Sequence, residues 1–258
     1  MDPVAKTYQY LDEQAQAEVD NFEPRPPRFN PSSIAKCSRQ LAYKALGTIP
    51  EVSPGFLRLY SAPGDFFHDE VRCIMKEAGV EFDGLRFDWD NRTVYELDAC
   101  KTTITHNGQT ITLSGRGDGQ VKVDDTWLYH ELKSVDAYKY MNMRRAYLKG
   151  DIIKFLFREW PSYIGQCNMM CSPEMLDLPG TYLTIVNRSN CQFGFTDAKY
   201  KNPEGGVYLP FDAGMWEQQK NKMAMITEKV GSGELPIRGE AEGSKGCQQC
   251  SYEGRCWG

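Results

Sequence analysis

The stretch 115–134 reads GRGDGQVKVDDTWLYHELKS, and its pattern decides what the rest of the chain is built around. Asp118 stands in a bend between Gly115, Gly117 and Gly119, which let the backbone turn tightly. A short strand over Gln120–Val123, a turn at Asp124 and Asp125 and a second strand from Trp127 are expected to follow. Side chains alternate along a strand, so Glu131 and Lys133 share one face while Leu128 and Leu132 share the other. Pairing of the two strands as a hairpin brings Asp118 beside Glu131, so that two carboxylates and an ammonium group converge. Two such carboxylates can hold Mg²⁺ or Mn²⁺, and the lysine can orient or help deprotonate an attacking water. A D…ExK set of this kind suits metal-dependent cleavage of a phosphodiester. Most ExK triplets are solvated strand or helix faces; the apolar opposite side and the three glycines set this one apart.

The chain has 258 residues, of which 41% are apolar and 12% aromatic, enough to bury one core with embellishments and too much for a disordered chain. No run of 18 apolar residues is present, and the start MDPVAKTYQYLDEQAQ has no basic-then-apolar leader, so a cytoplasmic location and no membrane span are expected. A net charge of −5 and a pI near 5.4 argue against a generic basic nucleic-acid coat, although local patches can still attract phosphate. Nine cysteines, an odd number, point to metal ligation or burial rather than a disulfide framework.

Outward from the central stretch, residues 8–20 can form a surface helix, and Asn21–Pro31 reads as a proline- and arginine-rich connector. A helix capped by Ser32 or Ser33 is expected to run to about Leu46, stopped by Gly47, with Cys37 in its first turns. The next helix spans roughly Pro63–Ala78, with Phe67, Val71, Ile74, Met75 and Ala78 as its buried stripe and His68 beside it. A lone histidine there is either a packing residue or a ligand. Residues 80–114 look β-rich, with Thr93–Ala99 alternating and Thr102–His106 facing Thr110–Leu113 across Asn107-Gly108. After Ser134 the chain turns helical and basic: Lys139, Arg144, Arg145, Lys149, Lys154 and Arg158, interleaved with Tyr138, Tyr140, Tyr147 and Trp160. This segment is either a solvated helix face or a track for a phosphate backbone with aromatics to stack on bases. A helix from Pro161, an interior strand over Thr181–Asn187 and a helix capped by Asp212 complete the core. The tail carries Cys247, Cys250 and Cys256, three sulfurs too close together for packing in so loose a segment, and hence a metal site.

The central stretch resembles motifs II and III of the PD-(D/E)XK nucleases, in the RecB-like branch that contains the Cas4-like proteins. GDFFHDEV, with His68, resembles that family's motif I, and Tyr163 and Gln166 resemble its YxxQxxxY helix, with Met170 where the last tyrosine belongs. One cysteine far upstream with three at the end resembles the family's four-cysteine iron–sulfur pattern. The resemblance covers most of the chain. It implies an α/β restriction-endonuclease-like core, a mixed sheet flanked by helices, with helical additions and iron–sulfur-stapled ends. It further implies a divalent metal, Mn²⁺ or Mg²⁺, held by Asp118, Glu131, His68 and the backbone carbonyl of Leu132. Imidazole favours manganese. Lys133 would position or activate water, and Gln166 and Tyr163 would orient the site or touch DNA. A [4Fe–4S] cluster would sit on Cys37, Cys247, Cys250 and Cys256, with zinc as the alternative. Lys139, Arg144, Arg145 and Lys149 would meet DNA. Residues 1–31 would be a helix and connector, and 32–258 a single nuclease domain. The activity implied is exonucleolytic trimming of single-stranded DNA or DNA with free ends, alone, as a homo-oligomer, or beside a helicase- or integrase-type partner. A structure-specific endonuclease and a non-catalytic, cluster-stabilised DNA-binding or adaptor protein of a recombination or spacer-acquisition complex are the alternatives.

Overall fold

Gln120–Val123 and Thr126–Val135 pair antiparallel, with Val123 opposite Thr126 across Asp124 and Asp125. Both turn residues have positive φ, 45° and 63°, the backbone that a two-residue type I′ turn requires. The structure is a computed structural model that describes residues 2–23, 28–54, 57–96, 100–195, 205–248 and 250–257, and of 57–63, 65 and 245 the backbone alone. Residues 24–27 of the expected connector and 97–99 of an expected strand lie outside the described residues.

Helix α1 (Pro3–Asp20) is longer than expected because Asp2 caps it, accepting from the N–H groups of Val4 and Ala5. No helix starts at Ser32 or Ser33. Pro31–Ser33 form a single 3₁₀ turn, and α2 (Ser38–Ala45) begins with Cys37 at its N-cap, outside the helix. Helix α3 (Leu57–Glu77) begins before Pro63. Its buried face also differs from the expected stripe: Ile74 is exposed, whereas Arg72 and Cys73 are buried beside Met75. The face that is turned inward carries Arg72, whose ion pair is described below.

Strands β1 (Phe82–Asp83), β2 (Leu85–Asp88), β3 (Thr93–Glu96), β4 (Cys100–His106), β5 (Gln109–Gly115), β6 (Gln120–Val123) and β7 (Thr126–Val135) follow. As expected, β4 and β5 form a hairpin, in register from His106↔Gln109 to Cys100↔Gly115, with positive φ at Asn107 and Gly108. Helices α4 (Ala137–Leu148), α5 (Ile152–Glu159) and α6 (Pro161–Met170) then cross over to β8 (Gly180–Asn187), which runs parallel to β7. Strands β9 (Gln192–Phe193) and β10 (Val207–Pro210) lead to α7 (Ala213–Gly231), capped by Asp212 through the Met215 N–H at 2.9 Å. The tail forms two short helices, α8 (Lys245–Gln248) and α9 (Glu253–Trp257).

The main sheet runs β1-β6-β7-β8-β10, with β9 on the end of β8; only β7 and β8 are parallel. It is a mixed sheet flanked by helices. Strand β7 is central and buried on both faces: Tyr129, His130, Glu131 and Leu132 are all fully inaccessible. Helix α6 is buried on nearly every side, which explains its lack of a polar face. It gives Ile164 and Cys167 to a core shared with β8, α4 and α5, and Met169 to a second core with β5, α2 and α7. Phe29 enters this second core and bonds the β5 backbone on both sides, to Thr112 and from Ser114. Leu183→Ala, at the fully buried centre of β8, is expected to cost about 2–5 kcal/mol, read as a lower urea midpoint at unchanged slope. Among the described residues, no helix is long and apolar enough to cross a membrane.

Candidate active site

The bend at Asp118 depends on its glycines. Gly119 has φ 97°, and a Cβ at Gly117 would lie 3.0 Å from both the Tyr129 ring and the Met170 methyl. Met170, where the tyrosine of the resembled motif is missing, thus packs beneath the bend. Strand β6 pairs with β7 only as far as Gln120↔Tyr129. Beyond that point the bend itself covers the edge of β7: His130 N–H donates to Gly119 O at 2.9 Å, and Leu132 N–H donates to Asp118 Oδ2 at 3.0 Å.

The expected convergence of Asp118, Glu131 and Lys133 forms, and it recruits further groups. Glu131 accepts from the Tyr129 hydroxyl, from Lys133 Nζ and, at 2.9 Å, from Gln166 Nε2 on α6. Lys133 Nζ lies 5.0 Å from the centre of the Tyr163 ring, one turn earlier on α6. Asp118 Oδ1 lies 2.8 Å from Arg72 Nη2 on α3. His68, half-buried one turn before Arg72, lies close enough to act on Asp118 electrostatically. Arg72 and Tyr129 were missed in the sequence. The signals were there: Arg72 is four residues after His68 on one helix face, and Tyr129 is two before Glu131 on one strand face.

The site's charges are strongly perturbed. Burial, reinforced by Asp118, pushes the Glu131 carboxyl up to about 7 against the pull of Lys133 and Tyr129. Burial works against the charge of Asp118 too, but Arg72, then His68 and Lys133, hold its carboxyl below the usual range. Burial alone would lower Lys133; the Glu131 charge overrides it and keeps Lys133 an ammonium well above its ordinary range. Among the described residues, no three His, Cys, Asp or Glu side chains are grouped so as to hold a single ion, and both carboxylates are met by protein donors.

His130, on the opposite face of β7, is fully buried, with Nε2 3.1 Å from Thr184 Oγ1 and no partner for Nδ1. Burial first, and then Arg72, drives its pKa down to about 3. That value lies below the unfolded one near 6.5, so the unfolded chain binds the proton first and stability falls as pH drops from about 6.5 toward 3. Glu131, shifted upward, has the opposite sign: it loses stability as pH rises from about 4.5 to 7. Relative to its own value at pH 7.5, His130→Gln is therefore expected to retain about 3 kcal/mol more stability at pH 4 than the native chain. Urea midpoints at the two pH values give the comparison; equal acid sensitivity would exonerate His130.

Cys37, Cys247, Cys250 and Cys256 line one cavity of about 420 Å³, together with Lys36, Arg39, Glu240 and Glu253. Burial, with the charges of Cys247, Cys37 and Cys256, raises the Cys250 thiol. The remaining cysteines lie elsewhere: Cys73, Cys167 and Cys171 are buried, Cys100 lies against the Met175 carbonyl and Cys191 is exposed. Hydrogen bonds also tie the tail in place here. Arg238 donates twice to the Cys256 carbonyl, Ser251 O accepts from Glu51 N–H, and Tyr43 OH donates to Arg255 O.

The basic segment divides in two. Arg145, Lys149, Lys154 and Arg158 line a groove of about 430 Å³ between α4 and α5. Arg144 instead has its Nε buried, and Lys139 pairs with Asp136 at 3.4 Å and lies over Trp160. The interleaved aromatics are mostly core: Tyr140 is fully buried and donates to Gly194 O at 2.6 Å, and Tyr147 packs on Phe195. Only Tyr138 is broadly exposed. A helix that covers a sheet must turn its large apolar rings inward. A second cavity, of about 460 Å³, carries Arg28, Ser32, Arg116 and Gln166.

No protein-family model matches the chain, and no curated protein matches it. Among solved structures, the chain is similar to the crystal structure of SSO0001, at 12% identity and a TM-score of 0.50, over 96% of this chain and 95% of that one. It also matches LHK-Exo, crystallised in complex with dAMP, at 13% identity and a TM-score of 0.46, over 83% of this chain and 93% of that one. The chain therefore shares its fold, along nearly its whole length, with SSO0001.

Proposed function

We propose that the chain is a divalent-metal-dependent deoxyribonuclease, and specifically an exonuclease on single-stranded or free DNA ends. The observation that carries this is the convergence of Asp118, Glu131, Lys133 and Gln166 on one edge of the central sheet, in a chain with basic cavities for phosphate.

The donor set fits a hard cation: two carboxylates, the Leu132 carbonyl, which leaves β7 on the same edge as its N–H, and the His68 imidazole. When bound, a divalent ion supplies a Lewis acid for the phosphate and lowers the pKa of water. Asp118 and Glu131 would hold it. Gln166 and Tyr129 hold the Glu131 carboxylate in place. Lys133, kept protonated by Glu131, acts as a fixed positive charge that orients water and stabilises charge developing on the phosphate, rather than as a base. Tyr163 confines the lysine from α6.

The four thiols line one cavity, and all-thiolate coordination suits a [4Fe–4S] cluster, with zinc as the alternative. The cluster would act as a staple between the chain ends. Incubation of anaerobically purified protein with linear or circular single-stranded DNA, in Mn²⁺, Mg²⁺ or EDTA, tests the function. Metal-dependent loss of linear DNA alone is the expected result; cut circles would make it an endonuclease, and no cleavage by folded, iron-loaded protein would leave the adaptor.

A further inference from the structure

Arg72 is 3% exposed in its side chain, lies 2.8 Å from Asp118 Oδ1 and 4.0 Å from Glu96 Oε1 at the end of β3. Its Nε and Nη2 make no aligned hydrogen bond, although a guanidinium ordinarily meets a carboxylate through parallel N–H···O bonds. This buried cation therefore lies between two carboxylates, close on Asp118 and at the longer distance of 4.0 Å from Glu96. A divalent ion arriving at Asp118 would meet both Arg72 and Lys133, gathering positive charge in a buried site.

We propose that Arg72 and Glu96 form an exchange pair for the site, an inference that rests on Asp118 being a metal ligand. Arg72 Nη2 stands 2.8 Å from Asp118 Oδ1. On binding of a divalent cation it gives up that oxygen and closes onto Glu96. Arg72 is thus a positioning residue: it keeps the carboxylate in place without metal and competes with the metal for it. Glu96 sets the strength of that competition by offering Arg72 another partner.

The test is calorimetric titration of Mn²⁺ into the EDTA-stripped full chain, with no DNA present. Arg72→Gln removes the competitor, so Mn²⁺ should bind about 10-fold more tightly while the metal-free protein melts at lower temperature. Glu96→Gln leaves Arg72 nowhere to go, so Mn²⁺ should bind about 10-fold more weakly. The double variant should behave as Arg72→Gln alone, since the effect of Glu96 runs through Arg72; a static structural pair would give independent losses instead. Weaker or unchanged binding in Arg72→Gln, or unchanged binding in Glu96→Gln, overturns the exchange. Glu96→Gln keeps the Arg72–Asp118 contact and carries the test should the arginine variant fail to fold. Asp118→Asn separates the two levels. If it binds Mn²⁺ as the native chain does, the metal site itself falls and the exchange with it; if it loses binding while Arg72→Gln is unaltered, only the exchange falls.

Discussion

Lys133→Ala is expected to lower metal-dependent cleavage of linear single-stranded DNA by about 10³-fold, with the fold and DNA affinity retained. The size follows from the position of the charge. Lys133 is mostly buried against Glu131 and under Tyr163, where an ammonium group is screened far less than in water. No other described cation contacts Glu131. Lys133→Met should behave alike, since it keeps most of the side-chain volume and loses the charge. Glu131 in either variant retains the Tyr129 and Gln166 hydrogen bonds, so the sheet edge should survive. Without Lys133 the carboxyl should move further up from its value of about 7, making the variants more stable at pH 6 than at pH 8. Timed gel assays, with melting curves at both pH values, separate lost chemistry from lost structure. Full activity in either variant would sink the assignment of Lys133.

Cys250→Ala is expected to abolish iron binding, from about four irons per chain to none, and to loosen both chain ends. Cys250 is the thiol whose charge feels all three of the others, so its loss should open the quartet rather than trim it. A cross-link closing so long a loop is worth about 5 kcal/mol on chain-entropy grounds. The measured loss should be smaller, because Arg238, Glu51 and Tyr43 tie the tail down independently. Iron and zinc analysis of anaerobic preparations, with limited proteolysis of the region 232–246, gives the answer. Unchanged iron would remove Cys250 from the ligand set, and zinc in its place would change the metal assigned.

Much of this molecule was legible in the chain itself because the signals are local. The Asp124-Asp125 and Asn107-Gly108 turns, the β6–β7 hairpin, the Asp212 cap and the pairing of Glu131 with Lys133 on one strand face all follow from backbone preference and side-chain alternation over a few residues. What depended on distant contacts was not legible. Ile74 on α3 is turned outward while Arg72 is turned inward to an ion pair with Asp118, 46 positions on in sequence. Tyr140 and Tyr147 of α4 turned inward onto Phe195 and the Gly194 carbonyl, while Tyr138 stayed exposed, because the helix packs one face on the sheet. Sequence by itself determined which chemical groups this protein can bring to bear: two carboxylates, an ammonium and three tail thiols through their spacing, and a glutamine and a fourth thiol through the resemblance. Only the tertiary structure decided which carboxylate is neutralised by an arginine and which is driven toward its protonated form, because burial and the nearest charge arise only when the chain has closed.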